Sequence, residues 1–156
     1  MSNQIILVVD DEKEIHELIK EYLASLKVEI YSAYNGEEGV KLYKKLMSEN
    51  KKPDLVVMDL NLSGSERYED MRKQMMGEEM DGVKTVNEIM KIDPYANIIG
   101  FTAYAHLEWG KRLRQAGARH VFGREIGFHG FAKKIEDILK KNSLQENFYE
   151  SKSPQQ

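Results

Sequence analysis

Leu55-Val56-Val57-Met58-Asp59-Leu60-Asn61 is the stretch that decides the fold of this chain. Its four leading apolar residues follow Pro53 and Asp54, and such a short apolar run predicts a strand that is buried on both faces of a parallel sheet. This strand delivers Asp59 to its carboxyl end, the edge at which open α/β sheets bind their ligands. Taken alone, an aspartate after a strand indicates no more than a turn.

A second stretch of the same kind lies near the N-terminus. The apolar run at residues 5–9 is followed by Asp10, Asp11 and Glu12, so a second buried strand also ends in carboxylates. The carboxyl ends of parallel strands share one edge of a sheet, so Asp10, Asp11 and Asp59 are predicted to converge there. This repetition favours a functional role for Asp59 over a simple turn.

The composition limits the classes of protein to which the chain can belong. Its 156 residues suit one domain with a sizeable core. With 26 acidic and 23 basic residues, the chain has no general positive field to bind nucleic acid directly. The chain has no cysteine, which excludes disulfides, thiolate zinc sites and cysteine nucleophiles and favours a reducing compartment. The first apolar run is too short for a signal peptide or a membrane span, so we expect a cytoplasmic protein that does not contact membranes.

Strand and helix patterns alternate along the chain, which implies right-handed crossovers and a parallel sheet covered on both faces. The sequence therefore predicts a five-stranded, doubly wound α/β domain. The predicted strands are 5–9, 28–33, 55–58, 97–101 and 120–123. The apolar stripes of the predicted helices comprise Ile15, Leu18, Ile19, Tyr22, Leu23 and Leu26, then Val40, Tyr43, Leu46 and Met47, then Val83, Val86, Ile89 and Met90, and finally Phe128, Phe131, Ile135, Ile138 and Leu139, with one more helix at about 105–116.

The spacing between the third and fourth strands is unusually long because of an extra segment at residues 65–79. Its spacing predicts a helix over residues 66–76, about 16 Å long at roughly 1.5 Å per residue. Two interpretations stay open: a lid or partner-docking element near the reactive edge, or a surface excursion whose methionines pack on their neighbours. Residues 1–142 form the predicted domain. The polar segment 143–156 is predicted to be a flexible tail or the start of a linker.

Three converging carboxylates require a counter-ion. Two like charges about 4 Å apart cost roughly 4 kcal/mol at an effective dielectric of about 20. A hard divalent cation is the natural partner, and Mg²⁺ keeps coordination positions open for a phosphoryl oxygen. The backbone carbonyl of Asn61 is within reach as a further oxygen ligand. With its charge neutralised in this way, Asp59 can attack phosphorus to form an acyl phosphate. The four histidines show no ligand spacing and are interpreted as solvated or packed side chains.

Several short motifs together resemble the receiver domain of two-component response regulators. The resemblance runs in order over about residues 3–141, and it implies the flavodoxin-like strand order 2-1-3-4-5. It also implies a protein with no enzymatic turnover beyond its own phosphotransfer and dephosphorylation. The motifs are Val8-Val9-Asp10-Asp11-Glu12, Val56-Val57-Met58-Asp59-Leu60-Asn61-Leu62, Met80-Asp81-Gly82-Val83, Phe101-Thr102-Ala103 and Gly117-Ala118.

The resemblance also implies roles for single residues. Asp59 would accept phosphate from a histidine kinase or a phosphotransfer protein, while Asp10 and Asp11, with the carbonyl of Asn61, would hold Mg²⁺. Thr102 would bind a phosphoryl oxygen through its hydroxyl, although without the resemblance an ordinary strand-end residue is the commoner interpretation. The phosphorylated surface would then bind a downstream protein target. The sequence leaves the oligomeric state open, a homodimer included.

The chain departs from the family pattern at the end of the last strand. Arg124 stands where the family has a lysine, and a guanidinium is a wider, planar donor than an ammonium. We expect Arg124 either to bind the phosphoryl group in a different way or to pair with Asp59 in the unphosphorylated state. Glu125 replaces the usual proline, so we predict a trans bond between Arg124 and Glu125. Val121 occupies the aromatic switch position and has no ring to move. These departures favour an alternative, a pseudo-receiver that binds partners without phosphate. The acids Asp10, Asp11 and Asp59 and the hydroxyl of Thr102 oppose it, so a phosphorylated receiver stays the leading hypothesis.

A third class of protein also uses an aspartyl nucleophile. Metal-dependent phosphohydrolases that resemble haloacid dehalogenases require an acid two residues after the nucleophile on the first strand. Here Asp10 is followed by Asp11 and Glu12, which gives only the pattern Asp10-x-Glu12. This interpretation is therefore the weakest of the three.

Overall fold

The computed structural model describes residues 3–60, 62, 81–103, 105 and 108–152, with side chains up to residue 142. Five parallel strands form one sheet in the order β2-β1-β3-β4-β5. The strands are β1 Gln4–Val9, β2 Val28–Ala33, β3 Leu55–Met58, β4 Ile98–Thr102 and β5 His120–Gly123. The helices are α1 Lys13–Tyr22, α2 Gly36–Ser48, α3 Asp81–Ile92, α4 Glu108–Ala116 and α5 Gly127–Lys152, with a 3₁₀ turn at Arg124–Ile126.

The two faces of the sheet carry separate hydrophobic clusters because side chains alternate along each strand. Leu7 and Val9 of β1 point to the face that α2, α3 and α4 cover. Ile6 and Val8 point to the opposite face, where they pack against α1 and α5. The whole of β3 is buried, as expected for a central strand with helices on both sides. The predicted five-stranded, doubly wound architecture is therefore confirmed.

Helix lengths and faces differ from the prediction at several helix ends. Tyr22 is the last residue of α1 and is exposed, and its ring stacks on Phe128 at a centroid distance of 5.9 Å. Leu26 was predicted to extend this helix but lies beyond its end. Met47, which was predicted to be buried, is exposed in the last turn of α2. Each of these residues lies at or beyond the C-terminal end of its helix.

The C-terminal helix continues to Lys152, past residue 142, where we predicted the domain to end. The proposed division into a domain and a tail stays a prediction. The segment 65–79 and its predicted helix lie outside the described residues. None of the described helices combines the length and the apolar character needed to cross a bilayer. The described residues contain no cis peptide bond, so the predicted trans bond after Arg124 is confirmed.

A buried carboxylate joins three elements at the amino-terminal edge of the sheet. The Tyr43 hydroxyl donates a hydrogen bond to Asp93 Oδ2 at 2.7 Å, and Lys52 Nζ lies 2.8 Å from the same oxygen. The Tyr95 amide donates to Asp93 Oδ1 at 3.0 Å. Burial raises the pKa of Asp93, but the hydrogen bonds from Lys52, Tyr43 and Tyr95 outweigh it, so the net pKa is lowered. This network holds α2 and α3 together far from the acidic edge.

A Tyr43→Phe variant is expected to be less stable by about 1.5–3 kcal/mol, because it removes a hydrogen bond to a buried charged group. Urea unfolding monitored by circular dichroism measures this loss. Tyr95→Phe is the matched control, since Tyr95 is 80% exposed and its contact to Asp93 comes from the backbone. The control should stay within about 0.5 kcal/mol of the parent. Equal stabilities for both variants would contradict the role of this network.

Candidate functional site

The acidic edge is built by the two central strands. Val9 and Met58 are neighbours in the β1–β3 ladder, so the residues after them, Asp10 and Asp59, emerge side by side. The Asp59 amide donates to the Val9 carbonyl at 3.0 Å, which extends the ladder by one bond and fixes the backbone of Asp59. The strands thus bring the two carboxylates together before any ligand is considered.

Asp10, Asp11 and Asp59 form a compact cluster. One carboxylate oxygen from each lies within 4.8 Å of the others. Asp10 and Asp59 are buried, at 3% and 5% exposed, while Asp11 is half-buried. The structure brings together the three acids that were predicted from the sequence to converge. Their role as metal ligands stays a prediction. Asn61, the fourth proposed ligand, lies outside the described residues.

Arg124 supplies a positive charge to this cluster. Its Nη2 donates to Asp10 Oδ2 at 3.0 Å and lies 3.7 Å from Asp59 Oδ1. The guanidinium also donates to the Phe101 carbonyl from Nε at 3.3 Å and from Nη2 at 3.1 Å. Its Cζ lies 4.6 Å from the centre of the Phe101 ring. The carbonyl and the ring of Phe101 both hold Arg124 in place. In this position the guanidinium lies closer to Asp10 than to Asp59.

Thr102 is the last residue of β4 and is fully buried. Since β4 is the neighbour of β3, Thr102 lies at the same carboxyl edge as Asp59. The following residue, Ala103, is exposed and has a small side chain. The placement of Thr102 is compatible with the role that the sequence resemblance implies, and that role stays a prediction.

The environment of the two buried carboxyls disfavours their charged forms. Burial raises the pKa of Asp59 to about 7, and the charge of Asp10 adds to the rise, while Arg124 opposes it. Burial likewise raises the pKa of Asp10 to about 6, against the Glu12 amide and Arg124. One guanidinium therefore does not fully compensate the charge of this cluster, and an added cation would be stabilised there.

The donor set fits a hard divalent cation. All three side chains offer carboxylate oxygens, the ligands that Mg²⁺ prefers in proteins. The described residues of the cluster include no histidine or sulfur ligand, so a softer transition metal is not favoured. Asp11 is half-buried, so solvent reaches at least one of the three acids. The residues present therefore fit a partly hydrated Mg²⁺.

Two residues of the site were not identified from the sequence. His16 is 1% exposed, and its Nε2 lies 2.7 Å from the Asp10 carbonyl oxygen. Gly82 packs against the backbone that follows Asp59, and its amide donates to the Leu60 carbonyl at 2.9 Å. From the sequence, His16 was interpreted as a solvated or packed side chain and Gly82 as part of a motif, and neither interpretation shows which backbone the residue contacts.

The family of the chain follows from comparison with known proteins. The model of the response regulator receiver domain matches residues 6–136. This chain belongs to the response regulator receiver family. The observed strand order, 2-1-3-4-5, is that of the receiver fold, so the predicted order is confirmed. The receiver is a signalling module of two-component systems, in agreement with the sequence resemblance.

Relatives of this receiver span most of its length. The chemotaxis protein CheY of Thermotoga maritima is 32% identical over 73% of this chain and 79% of its own. Sporulation initiation phosphotransferase F of Bacillus subtilis is 26% identical over 90% and 94%. A CheY-like receiver structure from Methanospirillum hungatei is 25% identical, with a TM-score of 0.68, over 92% of this chain and 99% of its own. A CheY from Borrelia burgdorferi, in a complex with CheX, BeF3 and Mg²⁺, is 20% identical, with a TM-score of 0.69, over 87% and 89%, and shows the same fold.

Proposed function

We propose that this receiver is phosphorylated on Asp59, in the presence of Mg²⁺, by a histidine kinase or a phosphotransfer protein. The observation that carries the proposal is the convergence of the Asp10, Asp11 and Asp59 carboxylates within 4.8 Å at the carboxyl edge of the sheet. Bound Mg²⁺ would neutralise charge on the carboxylates and on the incoming phosphoryl group. Asp10 and Asp11, with the Asn61 carbonyl and Asp59 itself, would hold it.

Several residues of this chain would take part in the phosphoryl transfer. An Asp59 oxygen attacks phosphorus, a P–O bond forms, and the bond from phosphorus to the donor's histidine nitrogen breaks. The Thr102 hydroxyl would donate to a phosphoryl oxygen, and Arg124 would offer its guanidinium to the same group. The ladder bond from the Asp59 amide to Val9 holds the nucleophile in place. Apart from this transfer and the later loss of its phosphate, we propose no enzymatic turnover.

The phosphorylated domain would act through a protein surface. A phosphoryl group adds about two negative charges, and coupling of this kind is typically worth about 1–3 kcal/mol, or roughly a 5- to 150-fold change in partner affinity. We propose a cytoplasmic role with a downstream protein target. The oligomeric state stays open, a homodimer included. Signalling without phosphate is not favoured, because the buried acids Asp10 and Asp59 and the threonine at position 102 are all present.

The test is incubation of the purified chain with Mg²⁺ and acetyl phosphate, followed by intact-mass measurement. We expect one acid-labile phosphate on the parent chain and none on Asp59→Asn. Asp137→Asn is the matched control, because Asp137 is an exposed aspartate on α5, and this variant should be phosphorylated like the parent. An unmodified parent chain, or a phosphate that survives Asp59→Asn, would contradict the proposal.

Mg²⁺ binding is expected to weaken about tenfold between about pH 8 and pH 6. Over this range Asp59, with a pKa of about 7, takes up close to one proton, which the cation must displace. The pKa of Asp59 is raised from 3.8 to about 7 and that of Asp10 to about 6. Below these values the carboxyls hold protons that the cation must displace. Calorimetry in two buffers of different ionisation enthalpy would measure both the affinity and the protons released.

The same pKa shifts make the metal-free domain lose stability as the pH rises. The folded chain holds more protons than the unfolded chain between the unfolded pKa of 3.8 and the folded values of about 6 and about 7, so the contribution of these two groups falls across that window. Mg²⁺ should therefore stabilise the domain more at about pH 8 than at about pH 6. A Mg²⁺ affinity that does not change with pH would contradict this prediction.

A further inference from the structure

His16 is a buried histidine that the proposed transfer does not use. It lies on α1 and is 1% exposed, yet both ring nitrogens have partners. Nε2 lies 2.7 Å from the Asp10 carbonyl oxygen, and Nδ1 lies 2.9 Å from Ser32 Oγ on β2. The ring also packs against Tyr34, with a centroid distance of 4.6 Å. The side chain thus connects a helix, the neighbouring strand β2 and the loop that carries two acids of the site.

The partners define which nitrogen carries the proton. A carbonyl oxygen only accepts hydrogen bonds, so Nε2 must donate to Asp10. In the neutral ring Nδ1 is then the acceptor, and the Ser32 hydroxyl donates to it. The Asp10 carbonyl therefore fixes the tautomer, and Ser32 helps to hold the orientation of the ring. In this arrangement Nε2–H faces the backbone of Asp10.

Every polar group of Asp10, in the backbone and in the side chain, has a hydrogen-bond partner. Its amide donates to the Ala33 carbonyl at 3.1 Å, and its Oδ1 accepts from the Glu12 amide at 2.8 Å. Its Oδ2 accepts from Arg124. The carbonyl is paired by His16 at the point where β1 has ended and ladder bonds stop. The contact from His16 thus sets the peptide plane between Asp10 and Asp11, and with it the direction in which both side chains leave the strand.

We propose that His16 is a positioning residue that fixes the Asp10–Asp11 backbone, so that both carboxylates face Asp59 before a cation binds. The proposal rests on the proposed function, because it concerns the same Mg²⁺ site. Hydrogen-bond partners one step removed from a metal change its affinity about 10- to 100-fold when they are lost, since they orient the ligands. A histidine that only filled the core would affect the stability of the fold and would leave the affinity for Mg²⁺ unchanged.

Two amide variants separate these roles, because each reproduces one ring nitrogen. His16→Gln places an amide nitrogen near the position of Nε2, where it can donate to the Asp10 carbonyl. His16→Asn reaches only the position of Nδ1, on the side of Ser32. Ser32→Ala keeps the histidine but removes the hydroxyl that orients it. Tyr43→Phe is the control for lost stability alone, because Tyr43 binds Asp93 at the opposite edge of the sheet.

The experiment measures Mg²⁺ affinity by calorimetry and the hydrogen exchange of the Glu12 amide without Mg²⁺. We expect His16→Asn to weaken Mg²⁺ binding at least about tenfold and to speed exchange at Glu12, which bonds Asp10 Oδ1. His16→Gln should stay within about threefold of the parent, and Ser32→Ala should fall between the two. Tyr43→Phe should bind Mg²⁺ like the parent.

The outcomes separate this proposal from the proposed function. If the parent chain binds no Mg²⁺, both proposals are wrong. If the parent binds Mg²⁺ and the Gln and Asn variants bind it equally well, His16 is a core residue and only this proposal is wrong. The same conclusion holds if the Mg²⁺ affinities of all four variants, Tyr43→Phe included, fall in proportion to the losses in their free energies of unfolding. An unfolded His16→Asn chain leaves Ser32→Ala to decide: unchanged Mg²⁺ affinity and unchanged exchange at Glu12 in that variant overturn the proposal.

Discussion

A Gly82→Ala variant is expected to lose about 3 kcal/mol or more of its free energy of unfolding, at the upper end of what overpacking costs. A Cβ at this position would overlap the Asp59 carbonyl oxygen and lie 2.7 Å from the Leu60 Cα and 2.8 Å from the Leu60 carbonyl oxygen. These are backbone atoms and cannot rotate away. Alanine also favours helix over glycine by about 0.5–1 kcal/mol, and this gain is too small to offset the overlap.

The same substitution is expected to impair the site. The Gly82 amide donates to the Leu60 carbonyl at 2.9 Å, so α3 lies directly on the backbone that follows the nucleophile. To admit a methyl group, either α3 moves out or the Asp59 backbone moves toward Val9. In both cases the carboxylate loses its position, and phosphate incorporation from acetyl phosphate should fall together with stability. Urea unfolding and intact-mass measurement check the two effects.

Gly130→Ala is the matched control for helix propensity. Gly130 lies within α5, and among the residues that the structure describes a Cβ there would meet only the side chain of Ile126, at 3.6 Å. This variant should gain about 0.5–1 kcal/mol, since alanine loses less backbone entropy on folding. If Gly82→Ala were as stable as Gly130→Ala, α3 would have to lie farther from Leu60 than the structure has it.

The sequence was sufficient to predict the five-stranded, doubly wound architecture, because the strands and helices have recognisable residue patterns of their own. The short apolar run at residues 55–58 predicted β3 with its observed bounds, and the predicted last strand, residues 120–123, matches β5. The spacing identified the helices but not which residues of their last turns are buried, since Tyr22 and Met47 are exposed. A stripe defines one face of a helix, whereas burial depends on how far the sheet extends beneath that face. That extent is a tertiary property.

The candidate site was predictable only in part, for a related reason. Asp10 and Asp59 follow adjacent strands, so topology alone brings them together. The partner of Arg124 depends on the turn after β5 and on the Phe101 ring, which no spacing encodes. The sequence offered phosphate or Asp59 as its partner, and the structure places it 3.0 Å from Asp10 Oδ2 and 3.7 Å from Asp59 Oδ1. The role of His16 likewise depends on a carbonyl contact that no residue pattern specifies.

Arg124→Gln is expected to tighten Mg²⁺ binding about 10- to 100-fold at about pH 8.5. The guanidinium donates to Asp10 Oδ2 and so occupies a carboxylate that would also bind the proposed cation. A hydrogen bond to a charged group is worth about 1.5–3 kcal/mol, and each 1.4 kcal/mol is about tenfold in affinity. With Gln at this position, neither the bond nor the positive charge opposes the dication. A pH well above the pKa of about 7 for Asp59 keeps protons from masking the gain.

Arg124→Lys isolates the geometry from the charge. A lysine keeps the positive charge but has no planar fork, so it cannot bind the Phe101 carbonyl and the Asp10 carboxylate in the way that Arg124 does. We expect its Mg²⁺ affinity to stay within about threefold of the parent, because the charge near Asp10 is retained. Calorimetry on both variants, with unfolding measured in parallel, separates the two contributions. If Arg124→Gln bound Mg²⁺ no more tightly than the parent, the guanidinium and the cation would not compete for Asp10, and Arg124 would act at the phosphoryl group alone.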